Sequence, residues 1–242
     1  MTLEKIFKIF SSIWEGSFIQ FKNREKAGES LSYLLKKRKK FNSLSNQLIT
    51  IAIPRGGTIV GDVIARNLKS SFDIILPQRL VSPHNRESTI GSIMKDGSTY
   101  LDYKIISKLK ISDEYVEKEK NKALEEIDKK ELLYGKQINS SKIRSSIVIL
   151  VDDGASTGST LVVASRWIKR FQPKSLTLAI PVCPKETIEI LKSEVEDVQS
   201  LINPSSKNFT SVSKFYKDFI PLDETHIKEI LNKYKKNNIS QM

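Results

Sequence analysis

Ile147–Thr160 reads IVILVDDGASTGST, and the organisation of the whole chain can be built around it. The apolar residues Ile147–Val151 end in two adjacent carboxylates, Asp152 and Asp153. Small residues follow, and a helical pattern opens at about Ser159. A short continuous apolar run of this kind is the pattern of a strand buried on both faces of a parallel sheet. A buried strand that hands two acids and a small-residue loop to a helix N-terminus suits a phosphorylated sugar. The backbone N–H groups of Ala155, Ser156, Thr157, Gly158, Ser159 and Thr160, with the helix dipole behind them, can hold a phosphate. Ionised carboxylates only accept hydrogen bonds, so two of them at the carboxyl edge of the strand can hold ribose hydroxyls. Successive side chains alternate, so the two acids leave the strand toward opposite faces.

Two plainer readings compete with this one. Strand, Gly-containing turn and helix is ordinary α/β architecture, and Asp is ordinary turn chemistry. A buried strand ending in two acids before a loop with almost no bulky side chain goes beyond that. A nucleotide P-loop needs four residues between its glycines and a Lys before the Ser/Thr. Gly154 and Gly158 have three residues between them and Ser159 stands where the Lys belongs, so the P-loop reading fails.

On the N-terminal side, Leu48–Ile53 is another short apolar strand, ending in Pro54-Arg55-Gly56-Gly57, with a helix over about 58–68 after it. Two glycines let a backbone approach an anion, and Arg55 offers planar, bidentate phosphate chemistry. Alone, Gly-Gly is as readily a plain turn. Beside a second small-residue loop on another strand it reads as a second anion cradle. Further elements are a helix over 24–39, a strand at 72–76, and a hairpin from Arg79 to Tyr103 turning at Asp96-Gly97. A charged helix over 113–133 follows, capped by Ser112. After the helix that runs from Ser159 to Phe171 come a strand at 176–180, a helix at 185–192 and a strand at 198–202. The irregular stretch 203–221 leads to a last helix after Asp223. Alternating strands and helices imply right-handed βαβ units. The expected fold is α/β: a doubly wound, mostly parallel sheet with helices on both faces. Leu3, Ile6, Phe7, Phe10, Ile13 and Trp14 recur at helical spacing, so 1–20 reads as an amphipathic helix ahead of a domain over 21–242. Its stripe would pack on the core or on a second subunit.

The chain has 242 residues, a net charge of +12 and one Cys, so an internal disulfide is impossible and a reducing, cytoplasmic setting is expected. Cys183, between prolines after an apolar strand, reads as a buried, inert thiol. No apolar run reaches membrane-spanning length, and Lys5 and Lys8 interrupt any signal-like core. The positive charge collects at Lys36–Lys40 and around Lys233–Lys236, which read as solvated helix ends. Without a zinc-ligand or RNA-recognition pattern they do not argue for nucleic acid, and a basic surface also steers small polyanions.

The segment Ile147–Thr160 resembles the phosphoribosyl pyrophosphate (PRPP) loop of type I phosphoribosyltransferases: apolar strand, two acids, small residues, then Thr-Gly-x-Thr. The likeness is greatest to a subgroup of predicted phosphoribosyltransferases with Pro-Arg-Gly-Gly after the first core strand and a Val-Asp-Asp-Gly loop. It runs from about Phe21 to about Leu231. The resemblance implies a small hood built from terminal segments, and transfer of ribose 5-phosphate from PRPP to a nitrogenous base. It implies Mg²⁺ held mainly through PRPP rather than by a protein metal site, and a homo-oligomer. Arg55, Gly56 and Gly57 then correspond to the pyrophosphate loop, and Ala155–Thr160 to the 5′-phosphate loop. The hairpin lies where the family has its mobile catalytic loop and carries Arg79, His84, Arg86 and Glu87. Arg79 would offset charge on the leaving group. Members that use hypoxanthine and guanine have a loop carboxylate where this chain has Ser156, which argues against that pair and leaves Glu87 as the nominated base. Phe209 and Tyr216, after the last strand, fall where relatives place a hood over the acceptor. There an aromatic either stacks a planar base or forms the apolar underside of a tail. Some relatives are regulators that keep only the sugar-phosphate loop. The alternative is therefore a non-catalytic PRPP or nucleotide sensor associated with nucleic acid, for which Arg79, Arg86 and Glu87 would be superfluous.

Overall fold

The computed structural model describes residues 20–41, 47–85, 88–135 and 138–239. Five strands form a parallel sheet: β1 (Leu48–Ala52), β2 (Ser71–Ile74), β6 (Ile147–Val151), β7 (Ser175–Val182) and β8 (Asp197–Ile202), in the order β2-β1-β6-β7-β8. Three more, β3 (Gln78–Val81), β4 (Thr89–Ile93) and β5 (Thr99–Leu101), make a small antiparallel sheet inserted after β2. The helices are α1 (Arg24–Lys36), α2 (Gly56–Leu68), α3 (Tyr103–Lys108), α4 (Asp113–Tyr134), α5 (Ser140–Ile143), α6 (Ser159–Lys169), α7 (Lys185–Glu194) and α8 (Glu224–Ile239). The α/β architecture with a mostly parallel sheet is as the sequence leads one to expect.

The central strand shows why. Every residue of β6 is buried. Ile147, Ile149 and Val151 pack with Leu31 and Leu35 of α1 and Val60 and Ile64 of α2. Val148 and Leu150 pack with Leu161 and Ile168 of α6 on the other face. A strand sandwiched this way has no solvent face, so its sequence shows no polar alternation. The hood is assembled from both ends of the described chain. The Phe21 N–H donates to the Phe215 carbonyl, and the Lys217 N–H donates back to the Phe21 carbonyl, each at 2.8 Å.

Several expectations are corrected. Helix α1 ends at Lys36, and Lys39–Phe41 forms a 3₁₀ turn. The basic run is therefore not wholly solvated: Lys40 and Arg38 reach Asp197 at 2.7 and 3.2 Å. Helix α2 starts at Gly56, not at position 58, because Arg55 already has helical dihedrals as its N-cap. The Arg79–Met94 arm is two strands, β3 and β4, joined by the segment 82–88; the Asp96-Gly97 turn links β4 to β5. Tyr103 opens α3, which Asp102 caps by accepting from the Ile105 N–H. The proposed helix within 1–20 lies outside the described residues, apart from Gln20. Among the described residues no helix is long and apolar enough to cross a membrane.

Candidate functional site

The alternation along β6 carries on into the two acids. Asp153 continues the face that packs on α1, and there it meets Arg24, the first residue of that helix. The Arg24 Nε donates to Asp153 Oδ2 at 2.7 Å, and Arg24 and Asp153 side chains are only 8% and 15% exposed. Another guanidinium N–H donates to the Ile220 carbonyl at 2.9 Å, and the group lies 3.7 Å over the Phe219 ring. The Tyr216 hydroxyl donates to the Asp153 carbonyl at 2.6 Å. The second acid is thus tied to α1 and to the hood. Asp152 has no ion pair among the described residues; its Oδ1 accepts the Asp153 N–H at 2.8 Å. Burial raises the Asp152 carboxyl well above the usual carboxylate range, and the neighbouring Asp153 charge pushes the same way.

Strands β1 and β6 are parallel neighbours, with Ala52 opposite Val151, so the Arg55–Gly57 loop lies beside the acid pair. A Cβ on Gly56 would strike the Asp153 carboxylate; one on Gly57 would lie 2.9 Å from both the Asp152 Cα and the Val151 carbonyl. The close approach these glycines allow is therefore first of all to the two acids. Gly154 faces Val212 of the hood in the same manner.

Both loops end in helices whose first turn is only partly satisfied: the Thr58 N–H donates to the Arg55 carbonyl at 3.1 Å and the Ser159 N–H reaches Thr157 Oγ1 at 3.5 Å. The N-caps of α2 and α6, Arg55 and Gly158, supply no side-chain hydrogen bond. Elsewhere Asn23, Asp102, Ser112 and Asn139 cap their helices. At α7, which Pro184 precedes, the Lys185 N–H donates to the Pro204 carbonyl. The backbone N–H groups of Ser156, Thr157 and Gly158 find no acceptor among the described residues. N–H groups left free at a helix start are donors that an anion can take up. Ala155 departs from the expectation, because its N–H is committed to the Val182 carbonyl at 2.9 Å. Gly158 has φ +74°, a left-handed conformation that favours glycine. Ser159 anchors the loop to the antiparallel sheet through a 2.9 Å contact with the Ser92 hydroxyl.

Beside this loop is a cavity of about 340 Å³, lined among others by Ser156, Thr157, Tyr100, Asp102, Glu186 and Phe209. Phe209 borders the cavity and stacks on Phe215 at 5.8 Å. Tyr216 does not: the residue is 3% exposed and its ring packs against Phe21 and Phe219, so it forms the underside of the hood and is no stacking face. Arg55 is exposed and 3.6 Å from Glu224. Arg79 is exposed on β3, and His84 is exposed in the loop that follows. Arg86 and Glu87 lie outside the described residues. Cys183 is fully buried, and burial pushes its thiol up to about 12, which suits an inert group. The residue missed by sequence reasoning is Arg24. Its signal was parity: Asp153 falls on the face of β6 that α1 covers, and Arg24 is the first residue of α1.

The profile of the phosphoribosyl transferase domain matches residues 32–218. Two Mycobacterium tuberculosis proteins, from strains CDC 1551 / Oshkosh and ATCC 25618 / H37Rv, carry the name "Putative phosphoribosyl transferase". Each is 22% identical over 186 residues, which is 77% of this chain and 42% of the relative. The chain thus spans less than half the length of these curated relatives. The crystal structure of TT1426 from Thermus thermophilus is similar at a TM-score of 0.68 and 25% identity, over 89% of this chain and 99% of that one.

Proposed function

The chain belongs to the phosphoribosyl transferase domain family, and from that premise we propose that it transfers ribose 5-phosphate from PRPP to a nitrogenous acceptor. The observation that carries this reading is the pair of uncapped helix starts at neighbouring strand ends, with the acid pair between them. Two anion cradles separated by hydroxyl acceptors match a ligand with phosphate at one end, ribose in the middle and pyrophosphate at the other.

In this reading the 5′-phosphate sits on the N–H groups of Ser156–Thr160 and the pyrophosphate beside Arg55–Gly57. Asp152 and the free oxygen of Asp153 accept from the ribose hydroxyls. The C1–O bond to pyrophosphate breaks and a C1–N bond to the acceptor forms, while the acceptor nitrogen gives up its proton to water or to the departing pyrophosphate. Positive charge grows on the ribose ring as pyrophosphate departs, and the oxygens of the acid pair stabilise it; Arg55 and Arg79 offset charge on the leaving group. Among the described residues no three His, Cys, Asp or Glu side chains group as a metal cage, and Asp153 already holds Arg24. That donor set fits a Mg²⁺ ligated mainly by pyrophosphate oxygens and water, with Asp152 free to orient one such water. When bound, the ion would neutralise charge on the pyrophosphate. The cavity bordered by Phe209 is the proposed acceptor seat, the ring offering a face for a planar base.

Titration calorimetry with PRPP and Mg²⁺ should give saturable heat, and pyrophosphate should be released when a matching base from a panel is added. No heat at millimolar PRPP would defeat the reading. Binding without pyrophosphate release across the panel would leave a PRPP sensor in its place.

A further inference from the structure

The chain carries a net charge of +12, yet the charged side chains on the wall of the cavity of about 340 Å³ are all acids. Asp102 and Glu186 line it, and among the described residues no Lys, Arg or His does. Lys185 and Lys207 stand next to Glu186 and Ser206 in the sequence but are not part of the lining. Arg166 lies 5.4 Å over the Tyr100 ring, and its guanidinium is held by Glu194 through hydrogen bonds of 2.9 and 2.6 Å.

Glu186 is fixed from two sides. Its Oε2 accepts the Ser206 N–H at 2.9 Å and the Ser206 hydroxyl at 2.7 Å. Ser206 opens the turn that leads to Phe209, whose ring borders the same cavity. Thr187, the next residue of α7, donates from its hydroxyl to the Ser156 carbonyl at 2.5 Å. That bond ties the turn carrying Glu186 to the phosphate loop. The Ser206 hydroxyl holds the Glu186 carboxyl below the ordinary carboxylate range, so at neutral pH it is ionised and only accepts. Beyond Ser206 it meets its own backbone N–H. A carboxylate has about four lone-pair sites, so Glu186 has room for a donor on a ligand. Asp102 is oriented by its cap on α3, where Oδ1 accepts the Ile105 N–H at 3.0 Å. A carbonyl oxygen placed against an ionised carboxylate finds no donor on it, and a second carboxylate is repelled.

We propose that Glu186 is a specificity-determining residue for the acceptor. It receives an amino N–H of a planar base lying against Phe209, and together with Asp102 it excludes bases that carry a carboxylate. The inference rests on the proposed function, because it names the acceptor class of the same site: amino-substituted bases.

The test is titration calorimetry of the full chain with nucleoside 5′-monophosphates, which share phosphate and ribose and differ only in the base. Adenosine 5′-monophosphate should bind about tenfold or more tightly than inosine 5′-monophosphate, which has an oxygen in place of the amino group. Orotidine 5′-monophosphate, with a carboxylate on its base, should bind weakest of the three. Glu186→Gln keeps an oxygen for Ser206 and offers an amide N–H to the cavity; the position is exposed, so folding is not at stake. It should bring the two purine nucleotides within about threefold of each other, with ribose 5-phosphate bound within about twofold of the parent. Asp102→Asn, which keeps the helix cap, should tighten orotidine 5′-monophosphate severalfold. Equal affinity of the parent for the adenosine and inosine nucleotides, or orotidine 5′-monophosphate bound as well as either, overturns the acceptor class. A Glu186→Gln chain that keeps the parent's preference, or that loses ribose 5-phosphate along with both nucleotides, overturns the role of Glu186. Unchanged orotidine 5′-monophosphate binding in Asp102→Asn overturns the part given to Asp102. In each of these cases a parent that binds PRPP leaves the proposed function standing. A parent that binds neither PRPP nor ribose 5-phosphate defeats both.

Discussion

Asp152→Asn is expected to melt at a higher temperature than the parent at neutral pH while turning PRPP over about 10²–10³ more slowly. The two effects share one cause. Burial and the adjacent Asp153 charge hold the Asp152 carboxyl well above the ordinary carboxylate range. A raised carboxyl binds its proton more tightly in the folded chain than in the unfolded one. That contribution favours folding below the unfolded value of about 3.9 and is lost as pH rises through the raised one. At neutral pH the raised carboxyl is therefore a destabilising group, kept where developing positive charge on the ribose would offset it. Asn keeps the shape and removes the charge. The melting advantage of the variant should narrow as pH falls toward about 4, where the parent's carboxyl is protonated too. Thermal melts at two pH values, with pyrophosphate release alongside, check both halves. A melting difference independent of pH would mean that the acid titrates normally. Unchanged turnover would move the chemistry away from Asp152.

How far the site could be read in advance follows from the range of the interactions that build it. The strand at 147–151, the loop after it and the opening of α6 are local: apolar length, small residues and a helical period all lie within one window. The same holds for the Pro54–Gly57 loop, although its helix starts two residues early, because Arg55 takes helical dihedrals without a capping side chain. The Arg24–Asp153 pair joins residues 129 positions apart, and an Arg at a helix start looks like any surface cation until the sheet brings α1 over β6. Tyr216 and Phe209 have similar sequence surroundings. Only the pairing of the hood with Phe21 decides that the first is buried and the second borders the cavity.

The two acids should separate most clearly in their response to the same substitution. Asp153→Asn is expected to lower stability by about 3–5 kcal/mol, because it removes one partner of a buried ion pair and leaves Arg24 uncompensated. Arg24→Ala should cost a similar amount, since it strands the Asp153 charge beside Asp152 and frees the hood from Ile220 and Phe219. For a chain of 242 residues, a loss of about 3 kcal/mol lowers the melting temperature by roughly 6–12 °C. Adjacent Asp→Asn changes would then shift stability in opposite directions, upward at Asp152 and downward at Asp153. Desolvation decides the sign: both carboxylates lose water, but only Asp153 recovers the loss through a cation and a 2.7 Å hydrogen bond. Replacing both members of the pair, Arg24→Met with Asp153→Asn, should recover part of the stability lost by either alone, because neither member of the pair is then left without its partner. Turnover should not recover with it, since the hood would still lack its guanidinium anchor. Melts of the two single variants and the double variant settle the matter. Strict additivity of the two losses would show that Arg24 and Asp153 do not act as a pair, and a stabilised Asp153→Asn would reverse the roles assigned to the two acids.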